Sequence, residues 1–398
     1  MSVYNGLPFL GGAIASILGQ TFADFEFIIV DDGSNDGSWE SVQTAAAADP
    51  RILAVRHDVN QGYAASQNRA ISLAAGSLIA LQDQDDVSLP VRLMQQVRLL
   101  EARPWVGCVG VWPRFIDEHG EPIESPTFRL LDRDDDIRAW LPWGPCLCGP
   151  SVLVRRSCLD EVGPYNPNLK SAEDYDLLLR LAESTRIENI PQHLYLYRQH
   201  PASVSSRQRY QQRLSRAVSL EGSLVRGRGI VAPRVLREAT AHSYLRAALV
   251  AFLEGESTGV PLCVDRAHEV APWISRKGNL VEETVGRYLL RDEDHEANAR
   301  IERFFEQFLP RTAHLRRAQS RLAARAHIRW AFEGESHKGI VPASVPDPLI
   351  LAHMMAAVRA DPHWLLNRGV WKIGLRRFLD DPLPSRRYPP PRDELRPG

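Results

Sequence analysis

Three groups of carboxylates carry the most chemistry in this sequence. Asp31 and Asp32 end the apolar run at residues 25–30 and open the turn-rich stretch Asp31-Asp-Gly-Ser-Asn-Asp-Gly37. Asp83, Asp85 and Asp86 end a second apolar run, Ser77-Leu-Ile-Ala-Leu-Gln82. Glu173, Asp174 and Asp176 stand just after Ser171. Carboxylates gathered in one place repel one another unless a cation or a donor-rich ligand compensates. Oxygen ligands of this kind suit Mg²⁺ or Mn²⁺, which usually brings substrate phosphates with it. Turns also favour Asp for local hydrogen bonding, so both readings stay open for residues 31–36. Asp83-Gln-Asp-Asp86, directly after an apolar strand, reads as a site. Ser171 is expected to cap a helix, with Asp174 at the capping-box position. Acids also suit the positive end of a helix dipole. Those effects account for one acid better than for three. The alternative is a carboxylate placed as general base for an incoming nucleophile.

These groups need a frame that brings them together. Over residues 1 to about 205 the apolar pattern alternates between strands and helices. Strands are expected at 25–30, 52–55, 77–82, 106–115, 151–154 and 187–197, and helices at 9–18, 62–75, 91–102 and from Ser171. That rhythm predicts an α/β fold with a mainly parallel sheet and helices on both faces. In open α/β sheets the ligand crevice lies outside the carboxyl ends of the strands, where the first two acidic groups fall. From 206 onward strand signals fade. Helices are expected at 236–254, 297–308, 312–332 and 349–360, giving a helical domain over 206–381. Residues 382–398 carry three consecutive prolines, 389–391, and read as a disordered tail.

Composition narrows the function classes. The 398-residue chain is 44% hydrophobic and 24% charged, which excludes a wholly disordered or collagen-like chain. With 48 basic and 49 acidic residues, it does not read as a nucleic-acid binder. Its five cysteines are odd in number and scattered, as expected of free thiols in the cytoplasm. The pair Cys146 and Cys148 has no second pair at zinc spacing and reads as buried thiols. No signal peptide is visible, and no apolar run is long enough to span a bilayer.

Several motifs together resemble family 2 glycosyltransferases of the GT-A fold. They are Ser2-Val-Tyr-Asn-Gly6, Ser16-Ile-Leu-Gly-Gln-Thr-Phe22 and the run from Phe25 to Ser34. Asn60-Gln-Gly62 with Asn68, Leu81-Gln-Asp-Gln-Asp-Asp86 with Pro90, Ala172-Glu-Asp-Tyr-Asp-Leu177 with Arg180, and Tyr197-Arg-Gln-His200 follow in order. Each is weak alone, whereas the ordered set over residues 1–205 is specific. The resemblance implies an inverting, metal-dependent transfer from a nucleotide-sugar donor, most often a UDP-sugar. The acceptor it implies is a glycan or lipid-linked acceptor in cell-surface polysaccharide synthesis. It places Ser2 and Tyr4 at the base, with Asp32 accepting a hydrogen bond from it. Asp83 would face the ribose, Asp85 would ligate Mn²⁺ or Mg²⁺, and Asp174 would be the catalytic base. Arg198 and His200 fall where a downstream segment approaches the diphosphate or metal.

The sequence departs from the family pattern at two places. Gln67 stands where many members carry Arg. Only Met1 precedes Ser2, where members enter through several apolar residues of a central strand. A central strand should be a full apolar run, so a truncated or misassigned gene start is expected. A truncated member kept as a binding or scaffold protein is the alternative function. A sugar nucleotidyltransferase is disfavoured, because residues 5–12 contain no Lys or Arg. Farther along, Arg317, Arg321, Arg325 and Arg329 are spaced four apart and share one helix face. That face is either solvated or offers peripheral contact with an anionic membrane. The stretch 364–379, which mixes apolar and basic residues, has the same two readings.

Overall fold

The computed structural model describes residues 1–124, 128–203, 207–256 and 258–274, with short pieces at 303–304, 318–324, 356–357 and 359–361. The chain divides into two compact units, Met1–Ile274 and Ser275–Gly398. The arginine-bearing helix expected at 312–332 is described only at 318–324, where it is helical. The helices expected at 297–308 and 349–360 lie largely outside the described residues, and 364–379 and the tail from 382 lie wholly outside them.

The first unit begins with a three-stranded parallel sheet, β1 (Ser2–Val3), β2 (Phe27–Asp31) and β3 (Ile52–Arg56), with β2 central. Alternate residues of a strand face opposite sides, and β2 is buried on both. Phe27 and Ile29 pack with Leu10, Ile14 and Ile17 of α1 (Leu10–Leu18) and Val42 of α2 (Ser38–Ala48). Ile28 and Val30 pack against Ala70 of α3 (Tyr63–Leu73). The continuous apolar run thus reports a strand covered by helices on both faces.

The second sheet has five strands in the order β4-β7-β6-β8-β5. These are β4 (Leu78–Ala80), β5 (Val87–Ser88), β6 (Val106–Ile116), β7 (Leu153–Arg155) and β8 (Arg186–Arg198). Only β6 and β8 run parallel; the other neighbours are antiparallel. The expected mainly parallel sheet is therefore a parallel three-stranded sheet beside a mixed five-stranded one. A parallel crossover needs a dozen or more residues. Only the acidic segment separates β4 from β5, and β5 pairs antiparallel with β8.

Helices α4 (Arg92–Ala102), α5 (Asp134–Trp140), α6 (Arg156–Val162) and α7 (Glu173–Ser184) complete this part. The apolar side expected after Ser171 is buried: Leu177, Leu178, Leu181 and Ala182 join one core. Leu220 of α8 (Arg209–Arg226) and Leu236 of α9 (Pro233–Glu254) extend it. Neither α8 nor α10 (Gly259–Val270) stood out in the sequence. No helix among the described residues is long and apolar enough to cross a membrane.

Candidate active site

The loops at the carboxyl ends of β1 and β2 are tied together by side chains. Asn5 N–H donates to Ser34 Oγ (3.0 Å), Gly6 N–H to Ser38 Oγ (2.8 Å) and Leu7 N–H to Asp36 Oδ2 (3.1 Å). Asp31 is fully buried, accepts from Ser34 N–H and pairs with Arg56 at 3.2 Å. Asp31 and Asp36 therefore serve the turn. Asp32 accepts from the N–H groups of Gln61 (2.9 Å) and Gly62 (2.8 Å) and lies 2.9 Å from His57 Nδ1. Burial would raise its pKa, but those hydrogen bonds outweigh burial and hold it below the ordinary carboxylate range. Ser2 is buried within β1, whereas Tyr4 is 45% exposed beside this loop.

The acidic loop gathers most of the residues singled out in the sequence. Oxygens of Asp83, Asp85 and Asp86 lie within 4.8 Å of one another. Asp86 is buried, and its Oδ1 accepts from Arg198 N–H at 2.7 Å. Its Oδ2 is buried without a hydrogen-bond partner. Burial, then Asp85 and Asp83, push its pKa well above the usual range. Burial, Asp85 and Asp174 raise Asp83 to about 7. An orphaned buried carboxylate oxygen among repelling acids fits a divalent cation. His200 Nε2 lies 3.0 Å from Asp85 Oδ2, its ring against Phe9. Arg198 donates from Nε to Asp85 O (2.9 Å) and from Nη1 to Asp117 O (2.9 Å), and sits over the Phe9 ring. Its guanidinium thus holds the loop backbone.

The third acidic group lies at the start of α7. Ser171 does not cap this helix. Ala172 is the residue before it, in a left-handed conformation (φ 58°), and no side chain caps. The helix starts too late for Ser171 to reach its N–H groups, and the Ser171 hydroxyl is buried without a partner. Asp174 accepts from Tyr175 N–H at 2.8 Å. Burial raises its pKa, opposed by that N–H and by Arg216 of α8. Arg216 stacks 4.0 Å over the Tyr175 ring and donates to Leu141 O. Gly149 backs onto Asp174, so closely that any Cβ there would overlap the Asp174 carboxylate.

Glu173 is raised to about 7 by burial and by Asp174. A raised carboxyl favours the fold fully below its unfolded pKa, about 4.5, and loses that advantage as pH rises through 7. Glu173→Gln should therefore gain stability relative to the wild type between pH 5 and pH 8, on the order of 1–3 kcal/mol. Urea denaturation at the two pH values measures this; equal differences at both would refute it.

The sequence did not single out four residues that order the site. Gln84, between two acids, accepts from Tyr4 N–H (2.8 Å) and donates back to Tyr4 O (3.2 Å). It thereby joins the β1 loop to the acidic loop. Tyr63 donates to Asp83 Oδ1 at 3.1 Å. Tyr165 stands edge-on to Tyr63, with ring centroids 5.8 Å apart. Arg92 is wholly buried beneath the acidic loop. Only Arg92 left a signal, a cation two residues after the Pro90 that follows the acids.

The model of glycosyl transferase family 2 matches residues 1–163. An uncharacterized glycosyltransferase of Methanocaldococcus jannaschii is 31% identical over 201 residues, covering 50% of this chain and 69% of that protein. The O-antigen biosynthesis glycosyltransferase WbnJ of Escherichia coli is 30% identical over 207 residues, covering 51% and 79%. Among solved structures, residues 1–349 of S. aureus TarS in complex with UDP match with a TM-score of 0.55 and 17% identity, over 85% of this chain and 92% of that one. That likeness speaks for the GT-A fold.

Proposed function

The chain belongs to glycosyl transferase family 2, and from that premise we propose that it transfers a sugar, with inversion, from a nucleotide diphosphate to an acceptor hydroxyl. The observation that carries this reading is the placement of Asp174 close enough to Asp83 for the two carboxylates to repel, across the ends of α7 and β4. One end of that space suits a diphosphate and its cation; the other holds a carboxylate with no cationic partner in contact among the described residues. Asp174 would take the proton of the acceptor hydroxyl on the face of the sugar opposite the leaving group. Burial raises its pKa, which strengthens it as a base while leaving it ionised above the raised value. Asp85 and His200 would hold Mn²⁺ or Mg²⁺, with Asp83 and Asp86 adjacent. When bound, such an ion neutralises the leaving diphosphate as a Lewis acid. Arg198 keeps the acidic loop in place, and Gln84 draws Tyr4 toward it.

A UDP-sugar is the proposed donor, consistent with the UDP held by the structural neighbour. A glycan or lipid-linked acceptor in polysaccharide synthesis is proposed from the O-antigen relative. In this reading α8, whose Arg216 acts on Asp174, lies on the acceptor side. The five unpaired cysteines support a cytoplasmic reaction.

A thermal-shift panel of UDP, GDP and dTDP, each with and without Mn²⁺, tests the reading. One nucleotide series should stabilise the protein only with Mn²⁺, by about 2.7 kcal/mol at a hundredfold excess over Kd. Asp85→Asn should remove most of that Mn²⁺-dependent gain. No shift with any nucleotide, on a cooperatively folding sample, would favour the scaffold alternative.

A further inference from the structure

We propose that Gln84 is a positioning residue that fixes the spacing between the two ends of the donor site, so that a nucleoside diphosphate binds as one unit. The proposal rests on the nucleotide-sugar reading above and adds the residue that holds the site to one length.

Gln84 stands between Asp83 and Asp85 in the acidic loop. Its side chain meets Tyr4, the first residue after β1. Oε1 accepts from Tyr4 N–H at 2.8 Å, and Nε2 donates to Tyr4 O at 3.2 Å. One amide thus engages both backbone groups of one residue, as a neighbouring strand would. The chain on either side of Tyr4 is fastened the other way. Val3 O accepts from Asp32 N–H at 2.7 Å, and Asn5 N–H donates to Ser34 Oγ at 3.0 Å. Tyr4 is therefore held between the loop that carries Asp32 and the loop that carries Asp83 and Asp85. Each loop keeps its own bonds without this link. Asp32 retains the N–H groups of Gln61 and Gly62, Asp86 that of Arg198, and Asp85 its contact with His200.

Gly6 bears the mark of the same contact. A Cβ there would lie 2.8 Å from Gln84 Oε1 and 3.2 Å from Gln84 Cδ, with Leu10 Cβ next at 3.4 Å. The amide thus lies across the bare face of Gly6. Gly6 is not in the left-handed region, so its missing side chain serves this close approach rather than a turn. An alanine at this position displaces the far end of one flexible side chain and leaves the Gly6 N–H bond to Ser38 Oγ.

A fixed span matters to a ligand with two ends. Once one end is bound, the other binds from an effective concentration set by the geometry of the site. Loops that drift apart must be ordered by the ligand, which weakens binding of the whole and not of its parts. Loss of two neutral hydrogen bonds bounds the effect at about 5–20-fold.

Calorimetric titration tests this with UDP in Mn²⁺, uridine without metal and pyrophosphate in Mn²⁺; GDP and guanosine form a second series. Gln84→Ala should weaken the whole nucleoside diphosphate by about 5–20-fold while each part stays within about twofold of its wild-type affinity. Gly6→Ala should show the same split. The double variant should lose no more than Gln84→Ala alone, because Gly6 acts through the amide. Equal losses for the whole and its parts would mean that the loops themselves are disturbed, and overturn the proposal. Losses that add in the double variant overturn it too, as does an unchanged affinity for the whole nucleotide in both single variants. If the wild type binds neither UDP nor GDP in Mn²⁺, the nucleotide-sugar reading fails and the proposal falls with it.

Discussion

Asp174→Asn should lower kcat by about 10²–10⁴-fold while leaving nucleotide-sugar affinity nearly unchanged. Asn keeps the shape of the side chain and can still accept from Tyr175 N–H, so α7 begins as before. What it loses is the ability to take a proton. The pocket wall at Gly149 fits the carboxylate closely, so a bulkier replacement would confound loss of the base with movement of the loop. Removing a negative charge near Asp83 should also lower Asp83 toward the ordinary range, since Asp174 is one of the groups that raise it. Donor binding should therefore hold or tighten. Release of nucleotide from the donor identified by titration, with water or a glycan as acceptor, gives the rate. The wild-type rate should fall on the acid side at a pH above the usual carboxylate range, because burial raises the Asp174 pKa. That acid limb should be absent in the variant. An unchanged kcat, or a loss confined to KM, would remove Asp174 from the role of base.

The sequence revealed the acids of this site because each group ends an element. Asp83, Asp85 and Asp86 stop β4, and Asp174 begins α7. What it could not show was which partners those side chains would meet. Arg198 was expected near a diphosphate or metal, and nothing in the sequence showed that its guanidinium donates to the carbonyls of Asp85 and Asp117. Gln84 carries no hydrophobic or charge pattern, and only the pairing of its amide with Tyr4 reveals its use. Tyr63 sits on α3 and Tyr165 far along the chain; the fold alone brings them edge to face. Strand direction was equally hidden. Apolar runs mark buried strands, and β6 and β7 are buried alike whichever way they run.

Arg92→Met should destabilise the first unit by about 3–5 kcal/mol, the usual cost of breaking up a buried charged network. At roughly 2–4 °C per kcal/mol, the melting temperature should fall by about 6–20 °C. Arg92 has no exposed surface. Its Nε donates to Gln96 Oε1 (3.1 Å), its Nη1 to Gln82 Oε1 (3.1 Å) and Ser88 Oγ (2.7 Å), and its Nη2 to Leu81 O (2.8 Å) and Pro150 O (3.5 Å). It makes no ion pair among the described residues. Its charge instead faces Asp86 and Asp83 through the field, with the Tyr195 ring 5.1 Å away. These partners come from the end of β4, from β5 and from the turn at Gly149–Ser151 that backs onto Asp174. One cation thus joins the floor of the acidic loop to the support of the base. Met fills similar volume but leaves Gln82, Ser88 and Leu81 O short of a donor and removes a buried positive charge on which Asp86 and Asp83 act. Arg92→Lys keeps the charge and should recover only part of the loss, since an ammonium cannot reproduce the planar fork. Thermal denaturation of both variants decides the matter: a Met variant melting within about 2 °C of the wild type would mean that neither the network nor the charge holds the site together.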